Sequence, residues 1–216
     1  MKILIVKTSS LGDIIHSYSV LSYLRTHFPK AEIDFVVEKP FAELVLNHPF
    51  VNHVIQIDTK IWRKSVLALW RGMIATRREI RLKQYDVCFD LQGNLKSGLI
   101  VSQVKAKKKV GFGFKTAAEW PNCFFQHTRF DPPKICNVRE ENLILVEQYF
   151  KKPAIDESVI ELKISDDEKR QLDSLLPKSA KPKVMVCPGS MWKNKQLPKQ
   201  VMKAFLMKLQ PHLNCH

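Results

Sequence analysis

Apolar residues recur along this chain with two different periods. Short apolar runs lie at 1–6 (MKILIV), 33–37 (IDFVV), 54–57 (VIQI) and 87–90 (VCFD), each closed by polar or charged residues. Their length and β-branched content predict buried strands. Between them the spacing is helical: Ile14, Tyr18, Leu21, Leu24 and Phe28 predict a helix over 13–28. A short helix is expected over 41–46 after Pro40, and a long amphipathic one over 62–84 with Trp62, Val66, Leu69, Met73 and Ile80 turned inward. Short apolar strands alternating with helices predict an α/β fold, a parallel sheet covered on both faces.

The alternation weakens over 105–133, where a lysine cluster, Gly111, Gly113, Trp120 and a Pro-Pro pair predict a strand and ordered loops. A helix is expected over 138–150. Residues 151–182 hold Pro153, Pro177 and Pro182, a strand-like run at 159–164 and a helix at 165–176 opening with Ser-Asp-Asp-Glu. A new strand (183–187, KVMVC), a loop (188–198) and a helix (199–209) follow. The expected domains are 1–150, Rossmann-like; 151–182, an inter-domain segment; and 183–216, the first βα unit of a second Rossmann-like domain. One strand and one helix cannot close a core, so this unit is expected to open a domain whose remainder is absent.

Composition narrows the class without naming it. With 45% hydrophobic and 26% charged residues among 216, the chain is ordinary globular protein, neither disordered nor low-complexity. Five scattered cysteines without Cys-x-x-Cys spacing suggest neither a disulfide framework nor a zinc site, and fit a reducing compartment. The apolar run at 3–6 is too short for a signal peptide and no run approaches a membrane span, which predicts a cytoplasmic or peripheral protein. A net charge of +14 favours an anionic partner: nucleic acid, anionic lipid or a phosphorylated substrate. From Arg63 to Lys83 there are seven basic residues and one acid, Glu79. A solvated face accounts equally well for that run.

Candidate chemistry gathers at the first strand-to-helix junction, IVKTSSLGDII. In a doubly wound sheet, ligands sit beyond the C-terminal strand ends. The junction is neither a Walker A loop nor a GxGxxG fingerprint. Asp13 is a favoured type for a helix cap, and Gly12 for a turn. Equally, a carboxylate at the sheet mouth can act as a general base toward a sugar hydroxyl, with Ser9 and Ser10 as polar contacts to the same substrate.

These residues carry a resemblance. MKILIVKTSSLGDIIHSYSVL resembles the opening of the bacterial lipopolysaccharide heptosyltransferases, especially the heptosyltransferase I branch; FDLQGNLKSGLI is similar to the family's Asp-x-Gln-Gly segment, and PGSMWKNKQLP to its Pro-Gly loop. The resemblance implies a glycosyltransferase of the GT-B type with an N-terminal acceptor domain and a C-terminal nucleotide-sugar domain. It implies inverting transfer of heptose from ADP-heptose to Kdo of Kdo-lipid A, with no metal ion and no other cofactor. Asp13 matches the family's base and Lys195 its lysine at the leaving diphosphate, beside Gly189 and Ser190. Gly12, Gln92, Gly93 and Lys96 join Ser9 and Ser10 as implied substrate contacts, Lys96 facing a carboxylate or phosphate of the acceptor. Leu197 stands where the family usually has Trp.

The anionic inner-membrane surface is a further implied partner, met by a basic helix bearing Arg77, Arg78 and Arg81, at the inner face of the bacterial inner membrane. The family's acidic, glycine-bearing donor motif has no match before His216, which implies a truncated, inactive or impaired polypeptide. Three other readings compete: transfer to another inner-core position or from another sugar, a non-catalytic basic module for nucleic acid or membrane, and a remnant without activity. No nucleic-acid motif is present, so nucleic acid is not the expected partner.

Overall fold

A computed structural model describes residues 1–62, 64–133, 137–154, 166–176, 184–186, 189 and 196–213. The expected strand at 159–164 lies outside them, and of that at 183–187 the described residues 184–186 form no strand. The chain divides into two compact units, Met1–Lys163 and Ile164–His216.

In the first unit six strands pair entirely in parallel: β1 (Lys2–Val6), β2 (Glu32–Glu38), β3 (His53–Ile57), β4 (Tyr85–Asp90), β5 (Ala106–Phe112) and β6 (Thr128–Phe130). Their spatial order is β3-β2-β1-β4-β5-β6, the doubly wound order in which the chain reverses direction between β1 and β4. The pleat explains the runs of unbroken hydrophobicity. Ile3 and Ile5 of β1 enter one core with Phe35, Val37, Val87 and Phe89. Leu4 and Val6 enter another, with Val36, Ile55, Tyr85 and Cys88. Both faces are buried, so alternation disappears.

Helices α1 (Leu11–His16), α2 (Tyr18–His27), α3 (Ala42–Leu46) and α7 (Val138–Phe150) supply the first core with Ile14, Leu21, Leu24, Val45 and Leu145. The helix expected over 13–28 is broken at Ser17, whose hydroxyl donates to the Ile14 carbonyl at 2.6 Å while its N–H serves the carbonyls of Asp13 and Ile14. Such local side-chain bonding competes with helix continuation.

The second face is covered by α4 (Thr59–Trp62), α5 (Val66–Ile80) and α6 (Leu95–Gln103). Here one expectation fails: Ile80 is buried and Trp62 packs on this core, but Val66 and Leu69 are exposed. The break at 64–65 separates α4 from α5, and Ser65 caps α5 by accepting from Ala68 N–H at 3.1 Å. That resets the helical phase relative to Trp62. A Cβ on Gly72 would overlap the Trp62 indole, so this glycine admits the ring against the helix.

In the second unit α8 (Asp166–Leu175) carries Asp166, Asp167 and Glu168 in its first turn, and α9 spans Lys199–Leu213.

A buried histidine makes this fold acid-sensitive. His48 is 2% exposed, its ring packs edge-on to Tyr18 at 4.6 Å, its Nδ1 accepts from Phe50 N–H, and its Nε2 has no hydrogen-bond partner among the described residues. Burial lowers its pKa to about 4. A depressed folded value means the stability it contributes is present above pH ~6.5 and is lost as pH falls through about 4. Thermal melts from pH 7 to 4 should show a loss on the order of 2 kcal/mol that His48→Phe removes. An unchanged pH slope in that variant would show that other groups govern acid stability.

Candidate functional site

The C-terminal ends of β1 and β4 flank the point where strand order reverses, and there the chain places its polar loops. Val6 pairs with Asp90, so the segments 7–10 and 91–94 leave the sheet side by side. Five hydrogen bonds lock them together. The Lys7 ammonium donates to the Leu91 carbonyl at 2.6 Å. Gln92 Oε1 accepts from Thr8 N–H (3.0 Å), the Thr8 hydroxyl (3.2 Å) and Ser9 N–H (3.0 Å). Leu91 N–H donates back to the Val6 carbonyl at 3.0 Å.

Asp13 lies in the first turn of α1, partly exposed. Its Oδ2 accepts from both Ser10 N–H (3.0 Å) and the Ser10 hydroxyl (2.8 Å). This is a helix cap made by the third helical residue reaching back, and it fixes the carboxylate on the rim. Its Oδ1 makes no hydrogen bond among the described residues. Cap and base therefore need not be alternatives, because one oxygen serves the helix while the other is left without a hydrogen bond among the described residues. A Cβ on Gly12 would meet nothing within 4 Å, so packing of the fold does not demand this glycine.

Behind the rim sits Asp90, fully buried. Its Oδ1 accepts from the N–H groups of Gln92 (3.0 Å) and Gly93 (3.1 Å). Its Oδ2 accepts from Ser97 Oγ (2.9 Å), Asn122 Nδ2 (2.7 Å) and Gln126 Nε2 (3.0 Å). Burial pushes its carboxyl up from the ordinary range, and these donors oppose the shift. The same burial pushes the Lys7 ammonium down, against the attraction of Asp13, Asp90 and Glu141. The buried Lys7 thus lies within electrostatic reach of three carboxylates, the candidate base Asp13 among them.

The remaining expected contacts divide. Gly93 adopts φ +70 and its Cβ would press on Phe112 and the Ala118 N–H, so it is required by the turn. Gln92 uses its carbonyl oxygen to shape the 8–9 loop, and its amide nitrogen makes no hydrogen bond among the described residues. Lys96 has an internal partner, Glu38, at 2.9 Å. Glu38 also binds the Thr59 hydroxyl and N–H, tying β2, α4 and α6 into one rim. Gly189 is exposed with open space around it, while Ser190 and Lys195 lie outside the described residues.

Sequence inspection gave no role to Lys7 or Glu38, whose partners lie far along the chain, Leu91 after β4 for Lys7 and Thr59 of α4 and Lys96 of α6 for Glu38. The available signal was a charged residue immediately after an apolar strand run. Among the described residues no group of three His, Cys, Asp or Glu side chains is placed to hold a metal ion.

Comparison with known proteins gives this rim a lineage. Lipopolysaccharide heptosyltransferase 1 of Pseudomonas aeruginosa is 38% identical over 121 residues, 55% of this chain and 34% of that protein. Lipopolysaccharide heptosyltransferase 1 of Campylobacter coli is 30% identical over 217 residues, 97% of this chain and 60% of that protein. The chain thus spans less than two thirds of either relative. Among solved structures, E. coli heptosyltransferase WaaC with ADP superposes with a TM-score of 0.65 at 28% identity, covering 73% of this chain and 50% of WaaC. WaaC with ADP-2-deoxy-2-fluoro heptose gives a TM-score of 0.78 at 24% identity, over 97% of this chain and 65% of WaaC. The fold is that of the GT-B heptosyltransferases. The model of glycosyltransferase family 9 (heptosyltransferase) matches residues 73–212, most of the chain, and with the doubly wound order and the rim at its reversal point it establishes that this protein belongs to that family.

Proposed function

We propose that this chain carries the acceptor side of an inverting, metal-independent transferase that moves heptose from ADP-heptose to Kdo of Kdo-lipid A, at the lipopolysaccharide inner core. The observation that carries the proposal is Asp13, fixed through one oxygen by Ser10 at the reversal point of the sheet, its other oxygen without a hydrogen bond among the described residues. Inversion requires a single in-line attack, for which one general base suffices. Asp13 takes the proton from the attacking Kdo hydroxyl as its oxygen bonds to the anomeric carbon and the bond to diphosphate breaks.

Ser9, Ser10 and the Gln92 amide nitrogen line the acceptor, and the open space at Gly12 lets it approach the backbone. Lys195, Gly189 and Ser190 stabilise the leaving diphosphate by charge and hydrogen bonding. Residues 1–150 form the acceptor domain, 151–182 the segment between domains, and 183–216 the opening of the donor domain. The donor assignment is supported by the ADP bound in WaaC. The setting is the cytoplasmic face of the inner membrane, where a lipid-held acceptor is presented.

The test incubates ADP-heptose and Kdo-lipid A with this chain and, separately, with a chain extended to the length of its relatives. A heptosylated product detected by mass spectrometry, and lost in Asp13→Ala, supports the reading. No product from the extended chain overturns it.

A further inference from the structure

The end of β1 buries a charge that the transfer mechanism leaves unused. Ile3 and Ile5 enter the first core and Leu4 and Val6 the second, so the alternation turns Lys7 to the first face, where α1 and α7 pack on each other. Lys7 is 5% exposed. Its ammonium carries three donors, yet among the described residues it has one hydrogen-bond partner, the uncharged carbonyl of Leu91, and no ion pair. A neutral amide or hydroxyl would serve that carbonyl without the cost of burying a charge. The hydrogen bond alone therefore does not account for a lysine here.

Three carboxylates do account for it. Asp13 of α1, Asp90 of β4 and Glu141 of α7 are the charged groups that act on Lys7, and their attraction opposes the fall that burial imposes on its ammonium. The effect is mutual at Glu141, a half-buried side chain whose carboxyl burial pushes up and Lys7 draws down. Glu38, the rim carboxylate of β2, is occupied elsewhere, by Thr59 and Lys96. Asp90 already accepts from five donors, so Lys7 is not needed to satisfy its oxygens. What the cation supplies is charge, which burial leaves poorly screened. Without it, the negative charge of Asp90 and Glu141 favours the protonated form of Asp13, which cannot act as a base.

We propose that Lys7 is a positioning residue for transfer: its buried charge offsets Asp90 and Glu141 and keeps Asp13 ionised, ready to take the proton of the acceptor hydroxyl. The proposal rests on the reading of Asp13 as the base. Being buried, Lys7 acts through Asp13 and not on the substrate. Its hydrogen bond to the Leu91 carbonyl fixes where the charge sits, behind the loops that leave β1 and β4.

The test has two arms. In the first, the 216-residue chain alone is titrated with acid while NMR follows the side-chain carboxyl carbon of Asp13, a signal assigned by its loss in Asp13→Asn. Lys7→Met keeps the length of the side chain and removes its charge, and should move the midpoint up by roughly 0.5–1 pH unit. Glu141→Gln removes a like charge and should move it down. Thermal melts establish that each variant is folded, and where Lys7→Met does not fold, Glu141→Gln decides. In the second arm, kcat/KM for the Kdo-lipid A acceptor is measured against pH in a chain extended to the length of its relatives. The acid limb should follow the NMR midpoint, so that Lys7→Met loses about three- to tenfold below the parental midpoint and approaches the parental rate well above it. A midpoint that neither substitution moves overturns the proposal. So does a rate lost equally at every pH with the limb in place, which is what a merely structural lysine gives. No product from any extended chain is a failure of the transfer reading, and the first arm, which contains no substrate, still reads the coupling of Lys7 to Asp13.

Discussion

Replacing Asp13 by asparagine in a chain of the relatives' length is expected to lower heptosyl transfer by about 10²- to 10⁴-fold, with little change in thermal stability. The substitution separates the two duties of this side chain. An amide oxygen still accepts from Ser10 N–H and its hydroxyl, so the cap that holds α1 survives. The amide cannot take a proton, so the base is lost. Asp13→Ala removes both and adds a capping loss of about 1 kcal/mol. Initial rates with ADP-heptose and Kdo-lipid A, beside melts of both variants, read the two effects apart. Near-parental activity in Asp13→Asn would make Asp13 a cap alone.

The second large effect is on stability. Asp90→Leu should destabilise the first unit by roughly 2–6 kcal/mol. Its removal leaves the N–H groups of Gln92 and Gly93 buried or half-buried without an acceptor, and takes one partner from each of Ser97, Asn122 and Gln126. Asp90→Asn does not repair the site. Its amide nitrogen would face the donors Asn122 Nδ2 and Gln126 Nε2, so a cost of about 2–4 kcal/mol is expected there too. Because Gln92 holds the 8–9 loop, unfolding of this network should also lower transfer in variants that remain folded. Chemical denaturation with a melting temperature for each variant checks the prediction, and a parental midpoint in Asp90→Leu would show that the network is redundant.

Period and composition made the sheet legible: each of the four apolar runs coincides with a strand, and unbroken hydrophobicity correctly indicated burial on both faces. The strands at 106–112 and 128–130 were harder, because β5, next to the edge strand, opens with Ala-Lys-Lys-Lys and β6 has only three residues. The long helix over 62–84 was visible by its spacing, yet its inward face was misassigned. Spacing fixes which residues share a side of a helix, whereas the core contacts of the side decide whether it is buried.

The site divides along the same line. Sequence alone determined that hydroxyls, a glycine and a carboxylate follow the first strand, and that a matching segment follows the fourth. It also determined the excess of arginine on one helix. Tertiary structure decided the rest, because each deciding contact joins residues far apart in the chain: Lys7 to Leu91, Gln92 to Thr8 and Ser9, Lys96 to Glu38, Asp90 to Asn122 and Gln126. Local chemistry sets what a side chain can do, but its partner, its burial and therefore its protonation are set by which strands the topology places side by side.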